Sequence, residues 1–435
     1  MRKRILLFCC LLAVVLLSGC AMETVDQMYQ LPKRSEDYSN LQAVIDRAMA
    51  GLDFCAPLTG ENQQTVQMVD VDGDGEQEYL VFARGSMESP LRILLFKQTD
   101  GVFLHVDTVE SNGTAFDQVE YIQMDSKPGM EIVVGRQVSD QLVRSLSVYT
   151  FADGKMRQLT SANYRKFVAL DINQDGQEEL FVLRPSLDES DNGYAEVYAV
   201  RNGITIRSNE VRMSAPVWDL KRILVGKLHD GKTAVYVAST VGDTALITDV
   251  YTVSGMRLVN VSLSSESGTS IQTLRNSYVY ADDIDDDGVV ELPTYVTQNV
   301  AGGNPNGVLC WFSMDSSGNA VEKLYTYHET VGGWYLKLNE NLARRIEVRR
   351  TGNVYDFFLL QSDSDEAQKL MTVYTLTGQN REEQSIADGR FVLMKTDTVI
   401  YSAKLETVAN AYYITQQSVI HSFRLIQKEW NTGET

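Results

Sequence analysis

The chain is poor in the groups that usually do chemistry near neutral pH. It has only four histidines in 435 residues, His105, His229, His328 and His421. They are scattered, and neither H-E-x-x-H nor a Cys/His zinc spacing is present. A G-x-S-x-G elbow and a phosphate-binding loop are also missing. Positive charge is short: 39 Lys and Arg face 58 Asp and Glu, a net charge of −19, which argues against a nucleic-acid partner. Only eight prolines occur, and no Pro-rich or low-complexity stretch divides the chain, so the body reads as one domain. Of five cysteines, Cys9, Cys10 and Cys20 fall in the first twenty residues. Cys55 and Cys310 remain, far apart and without framework spacing; they read as separate thiols, with a bridge in an exported chain as the alternative.

Long apolar runs are also scarce. One covers residues 5–17, shorter than the roughly 20 residues of a membrane span. It follows Arg2, Lys3 and Arg4 and ends in small residues, the pattern of a secretory signal over residues 1–19. The stretch "LLSGC" (residues 16–20) resembles a bacterial lipobox. That resemblance implies cleavage before Cys20, lipidation of its thiol, and an extracytoplasmic protein anchored to the cell membrane through lipid. An ordinary signal peptide or an uncleaved anchor is the alternative. Cleavage would remove three cationic residues and leave the body more acidic still. Residues 20–40 are polar and read as a lipidated tether. Leu41, Val44, Ile45 and Met49 follow at helical spacing, with Ser39 as a possible cap, so residues 41–60 read as a short helix and lead-in.

What the chain has in quantity is a repeat. "DVDGDGEQE" (residues 70–78), "DINQDGQEE" (171–179) and "DIDDDGVVE" (283–291) each read D-x-[DN]-x-D-G-x-x-E before an apolar strand. They begin about a hundred residues apart, and weaker echoes sit near the midpoints. "QMDSKPGMEIVVG" keeps Asp125, Gly129 and Glu131; "GKLHDGKTAVYVAS" keeps Asp230 and Gly231. Between the loops, apolar runs break at Gly101, Gly154, Gly203, Gly255, Gly318 and Gly378, several as Asp-Gly or Asn-Gly hairpin signals. Both marks share a period of about fifty residues, which suits four strands per unit. The expectation is an all-β β-propeller over residues 61–430, its blades beginning near residues 64, 118, 166, 222, 278, 334 and 389. Seven blades is the leading count, with six as the alternative.

The strong loops have the chemistry of a hard cation site. Ca²⁺ takes about six to eight oxygen ligands. Acids at positions 1, 3 and 5 of a tight loop turn inward, a glycine at 6 permits the bend, the carbonyl at 7 adds a ligand and the acid at 9 closes the shell. The candidate ligands are Asp70, Asp72, Asp74, the Glu76 carbonyl and Glu78; Asp171, Asn173, Asp175, the Gln177 carbonyl and Glu179; and Asp283, Asp285, Asp287, the Val289 carbonyl and Glu291. The second set has one acid fewer and is the weaker. Position 12, which an EF-hand fills with a bidentate Glu, is Val81, Val182 or Thr294, so the EF-hand pattern fails. The loops resemble those of FG-GAP/VCBS-type repeats of integrin-like propellers, which implies two or three structural Ca²⁺ ions. The FG and GAP elements themselves are missing, so an integrin-like binding role does not follow.

The expected function is a surface-anchored, calcium-stabilised, monomeric binding module for protein or glycan, without catalysis. Its binding face would be the variable loops between second and third strands, such as "TQNVAGGNPNG". Trp311 follows that loop; Trp334 and Tyr335 could stack a sugar, though aromatics at strand starts more often belong to a core. The alternative is an exported polysaccharide hydrolase or lyase with its site at the propeller centre.

Overall fold

The computed structural model describes residues 36–86, 90–138, 144–188, 191–296, 307–361 and 364–426. These build six antiparallel sheets in chain order. Sheet 1 uses Asp53–Phe54 and Val66–Val69 on one edge of Glu78–Arg84, then Leu91–Thr99 and Val102–Ser111. Sheet 2 is Ala115–Ile122, Glu131–Gln137, Arg144–Ala152 and Lys155–Tyr164. Sheet 3 is Lys166–Leu170, Glu179–Arg184, Tyr194–Arg201 and Ile204–Arg207, with Val211–Arg212 also on the third strand. Sheet 4 is Leu220–Lys227, Thr233–Val241, Ala245–Ser254 and Arg257–Asn260. The result is an all-β, propeller-like array with a short N-terminal helix. Among the described residues six sheets are present, the smaller of the two expected counts.

The turns form where local chemistry demands them. Asp100 and Gly101 both take positive φ, 51° and 78°, between strands ending at Thr99 and starting at Val102. That geometry matches the twist of the flanking strands, and an Asp-Gly pair adopts it at low cost.

The C-terminal third departs from the expected spacing. Trp334–Leu338, expected to open a sixth blade, turns back in a tight hairpin and pairs with Ala320–Glu329 in sheet 5, beside Leu292–Tyr295 and Val308–Met314. Its anchor is Trp334, fully buried against Tyr327, Tyr355 and Phe423. Sheet 6 therefore begins at Ile346–Thr351, followed by Val354–Gln361 and Ser364–Leu376. Gly378 does not make the expected hairpin. The helix Arg381–Ile386 follows it, and Ile400–Leu405 supplies the next strand, with Phe391–Lys395 outside. The chain from about residue 389, expected as a seventh blade, is thus shared out: two strands finish sheet 6, Thr407–Tyr412 forms a 3₁₀ turn, and Phe423–Leu425 joins the edge of sheet 5.

Strand alternation sets the core. In Glu78–Arg84, Leu80 and Phe82 face sheet 2 and pack with Phe116, Val119 and Ile132. Val81 and Ala83, on the other face, meet Leu41, Ile45 and Met49 of the helix Glu36–Ala48, here α1. A period of two sends alternate residues to opposite faces. Burying a side chain such as Phe82 contributes about 2–3 kcal/mol. Equivalent clusters join sheets 2 and 3, 3 and 4, 4 and 5, and 5 and 6. Helix α1 begins three residues before Ser39, which lies inside the helix and not at its cap. Cys55 and Cys310 are free thiols in different sheets. Trp311, Trp334 and Tyr335 are buried, so they are core and not a sugar platform.

Candidate metal centres

The three strong loops fold alike, each between the first two strands of its sheet. In sheet 5 that first strand is reduced to one bridge, Asp282 to Glu291. The position-1 aspartate accepts the amide of the position-6 glycine: Gly75 to Asp70 at 2.9 Å, Gly176 to Asp171 at 2.9 Å and Gly288 to Asp283 at 2.8 Å. The position-5 aspartate accepts the amide of position 7: Glu76 to Asp74 at 2.8 Å, Gln177 to Asp175 at 2.9 Å and Val289 to Asp287 at 2.9 Å. The three position-6 glycines hold φ near 90°, 86° and 86°, where an L side chain is strained. Backbone amides therefore hold both oxygens of each position-1 aspartate, from Gly73 and Gly75, from Asp175 and Gly176, and from Asp287 and Gly288, and one oxygen of each position-5 aspartate.

The position-9 glutamates are the buried end of each loop: Glu78, Glu179 and Glu291 have no solvent exposure. Glu78 accepts the Val71 amide at 3.0 Å, and Glu291 accepts the Ile284 amide at 3.2 Å. The weaker echo in sheet 2 keeps this bond, Met124 to Glu131 at 3.0 Å, although Asp125 is the one other acid it retains. In three sheets this glutamate thus ties down the buried end of the turn; in sheet 3 Glu179 is held instead by Asn173 and Arg201.

Among the described residues two groups of acids could hold an ion. Ligand oxygens of Asp70, Asp72 and Glu78 lie within 4.8 Å of one another, as do those of Asp283, Asp285 and Glu291. In the second group two converging oxygens, Asp285 Oδ1 and Glu291 Oε1, are buried without a hydrogen-bond partner, whereas in the loop of sheet 3 only Glu179 Oε2 is so left. Burial and the Asp285 charge push the Glu291 carboxyl up to about 8. Burial likewise raises Glu78, against the Val71 amide and Lys97. The hard oxygens present suit a Ca²⁺-class ion.

Basic residues missed in the sequence complete the picture. Lys97 Nζ contacts Asp72, lies 2.7 Å from Asp74 Oδ2 and 3.2 Å from Glu78 Oε1. Burial opposes its charge, but these carboxylates outweigh that and raise its pKa. Lys323 Nζ lies 2.9 Å from Asp287 Oδ2, and its hydrogen bond lowers the Asp287 pKa. Arg201 reaches Asp175 Oδ2 at 2.6 Å, Glu179 Oε1 at 3.1 Å and Gln177 Oε1 at 3.1 Å. Lys97 and Arg201 both stand just before a hairpin turn, at the loop end of the third strand. A basic residue at that position in "LLFKQTDG" and "VYAVRNG" is the signal that could have found them.

Other expected features carry no site. His328 is buried on Tyr335, and burial lowers its pKa to about 3. His105 and His421 are exposed on separate elements. Cys20 and the centres of the variable loops (87–89, 139–143, 189–190, 297–306 and 362–363) lie outside the described residues. The lead-in crosses the first-strand edge of sheets 1 and 2: Cys55 donates its amide to Phe82 at 2.9 Å, Thr59 to Asp117 at 2.8 Å, and Asn62 Nδ2 reaches Val119 at 3.0 Å.

No protein-family model matches the chain. No curated protein matches it either. Solved structures do. The exotype rhamnogalacturonan lyase YesX is 13% identical over 72% of this chain and 62% of its own, with a TM-score of 0.27. A Bacillus licheniformis rhamnogalacturonan lyase is 15% identical over 70% and 60%, with a TM-score of 0.24. The Penicillium chrysogenum α-L-arabinanase is 10% identical over 81% and 96%, with a TM-score of 0.28. The chain spans about three fifths of the length of the lyases it matches. At these values the likeness concerns fold and carries no argument about activity.

Proposed function

We propose that the chain is a calcium-stabilised, propeller-like lipoprotein, held to the extracytoplasmic side of a bacterial membrane through Cys20, that binds a protein or glycan without catalysis. The observation that carries the calcium reading is the loop of sheet 5, where buried Asp285 and Glu291 oxygens converge with no protein donor. The acids of these loops are held as ligands for an ion and as acceptors for backbone amides. That use leaves them poorly suited to acid–base work. Binding is assigned to the variable loops at the opposite end of the strands, as is common for loops carried on a rigid scaffold.

Two experiments test this. Melting of the chain in EDTA and in millimolar Ca²⁺ should differ by several degrees, since an ion at 100 times its Kd adds about 2.7 kcal/mol per site. No shift would sink the calcium reading. A glycan array and pull-down in Ca²⁺ should give a ligand without turnover. Hydrolysis or elimination of a polysaccharide, abolished by one substitution, would replace the binding reading with an enzymatic one.

A further inference from the structure

The three loops differ in what balances their charge. In sheet 1, Lys97 stands against Asp70, Asp72, Asp74, Glu76 and Glu78; in sheet 5, Lys323 stands against Asp283, Asp285, Asp286, Asp287 and Glu291. One ammonium among five acids leaves a large negative excess, enough to attract a divalent ion. The loop of sheet 3 has four acids, Asp171, Asp175, Glu178 and Glu179; Arg201 pairs with Asp175 and Glu179, and Glu178 turns away to accept the Gln123 amide at 3.0 Å.

The geometry of that loop is also different. Asn173 Oδ1 accepts the Asp175 amide at 2.9 Å, so its nitrogen is the end turned inward, and it donates to Glu179 Oε1 at 2.6 Å. An amide nitrogen in that place offers a cation no lone pair. With two nitrogens the Arg201 guanidinium reaches the carboxylates at ligand positions 5 and 9 and the side-chain oxygen of Gln177 between them. A planar fork with several fixed donors can satisfy several acceptors at once, whereas a lysine ammonium is a point charge on a flexible stem that can swing out to water.

We infer that Arg201 is the resident cation of the sheet 3 loop, which keeps its turn without metal, so that the chain takes two divalent ions and not three. The ions sit in the loops of sheets 1 and 5, where Lys97 and Lys323 act as removable stand-ins. The two-ion count rests on the calcium reading above; the role of Arg201 does not.

Equilibrium dialysis of the full chain against Ca²⁺, after EDTA stripping, tests the count. The expected result is two ions per chain. Asp72→Ala and Asp285→Ala should each leave one ion, and Asp175→Asn should leave two. The double variant N173D/R201Q, which restores the ligand set of the other loops, should bind three. A wild-type count of three, a loss of one ion in Asp175→Asn, or a double variant fixed at two would each overturn the inference. A wild-type count of zero would remove the calcium reading but not decide Arg201. Melting in EDTA decides that: Arg201→Gln should lower Tm by several degrees, and an unchanged Tm would overturn the guanidinium clip.

Discussion

A Cβ placed on Gly73 would stand 2.3 Å from the backbone nitrogen of Gly129. The converse contact is as tight: a Cβ on Gly129 would lie 2.5 Å from the Val71 oxygen. Both residues have positive φ, 73° and 98°. The acidic loop of sheet 1 thus rests backbone to backbone on the metal-poor loop of sheet 2. Gly73→Ala or Gly129→Ala adds both strain and a backbone clash and should cost about 2–4 kcal/mol. Thermal unfolding should show the loss, and Ca²⁺ titration should show weaker binding to the loop of sheet 1. Wild-type melting in either variant would contradict the packing described.

Lys97 occupies the space that an ion in the loop of sheet 1 would share with Asp72, Asp74 and Glu78. Lys97→Met removes this competitor while keeping the aliphatic stem. Affinity for Ca²⁺ should rise by about tenfold, equivalent to about 1.4 kcal/mol. The same variant should melt lower than wild type in EDTA, because three carboxylates lose their counter-charge. Calorimetric titration and a melt in each condition would read the two opposite effects.

Glu291 should make the metal-free protein sensitive to alkali. Its folded carboxyl is raised from the ordinary carboxylate range to about 8, first by burial and then by Asp285. A raised acid favours folding while protonated. That contribution is full below the unfolded pKa near 4.5 and is lost as pH rises through about 8. In EDTA, Tm should therefore fall between pH 5 and pH 8.5, and Glu291→Gln should flatten the fall. Saturating Ca²⁺ should flatten it too, by holding the carboxylate in its charged form.

Ile45 tests the end of the array. It is buried with Leu41 and Met49 against Val81, Leu94 and Phe96. Ile45→Asp puts a charge into that contact and should cost about 3 kcal/mol or more. Circular dichroism should still report the strands of sheets 2 to 6, while a hydrophobic dye should bind the uncovered face of sheet 1.

The parts of this fold that were legible in the sequence are those fixed by neighbours in the chain. Asp100-Gly101 and Asn202-Gly203 prescribe hairpins through their own backbone preferences, and the acids of residues 70–78 carry their turn in their spacing. Five sheet starts follow from that local period. What was not legible depends on distant pairing. Ile400–Leu405 completes sheet 6 only because Ser364–Leu376 presents an open edge across an intervening helix. Trp334 reads as the start of a new blade until Tyr327 and Phe423 draw it into sheet 5. Lys97, Arg201 and Lys323 escaped notice because each lies more than twenty residues from the first acid of its loop, on a strand brought alongside by the sheet.

Helix α1 also sets a length. It is packed on sheet 1 from Leu41 onward and begins at Glu36, sixteen residues after the cysteine proposed to carry lipid. A fully extended chain gains at most about 3.6 Å per residue, so sheet 1 could stand no more than roughly 50–60 Å from the bilayer surface. With that anchor, the protein would search a shallow hemisphere above its own membrane. A partner bound by its loops would have to lie within that hemisphere or reach down into it.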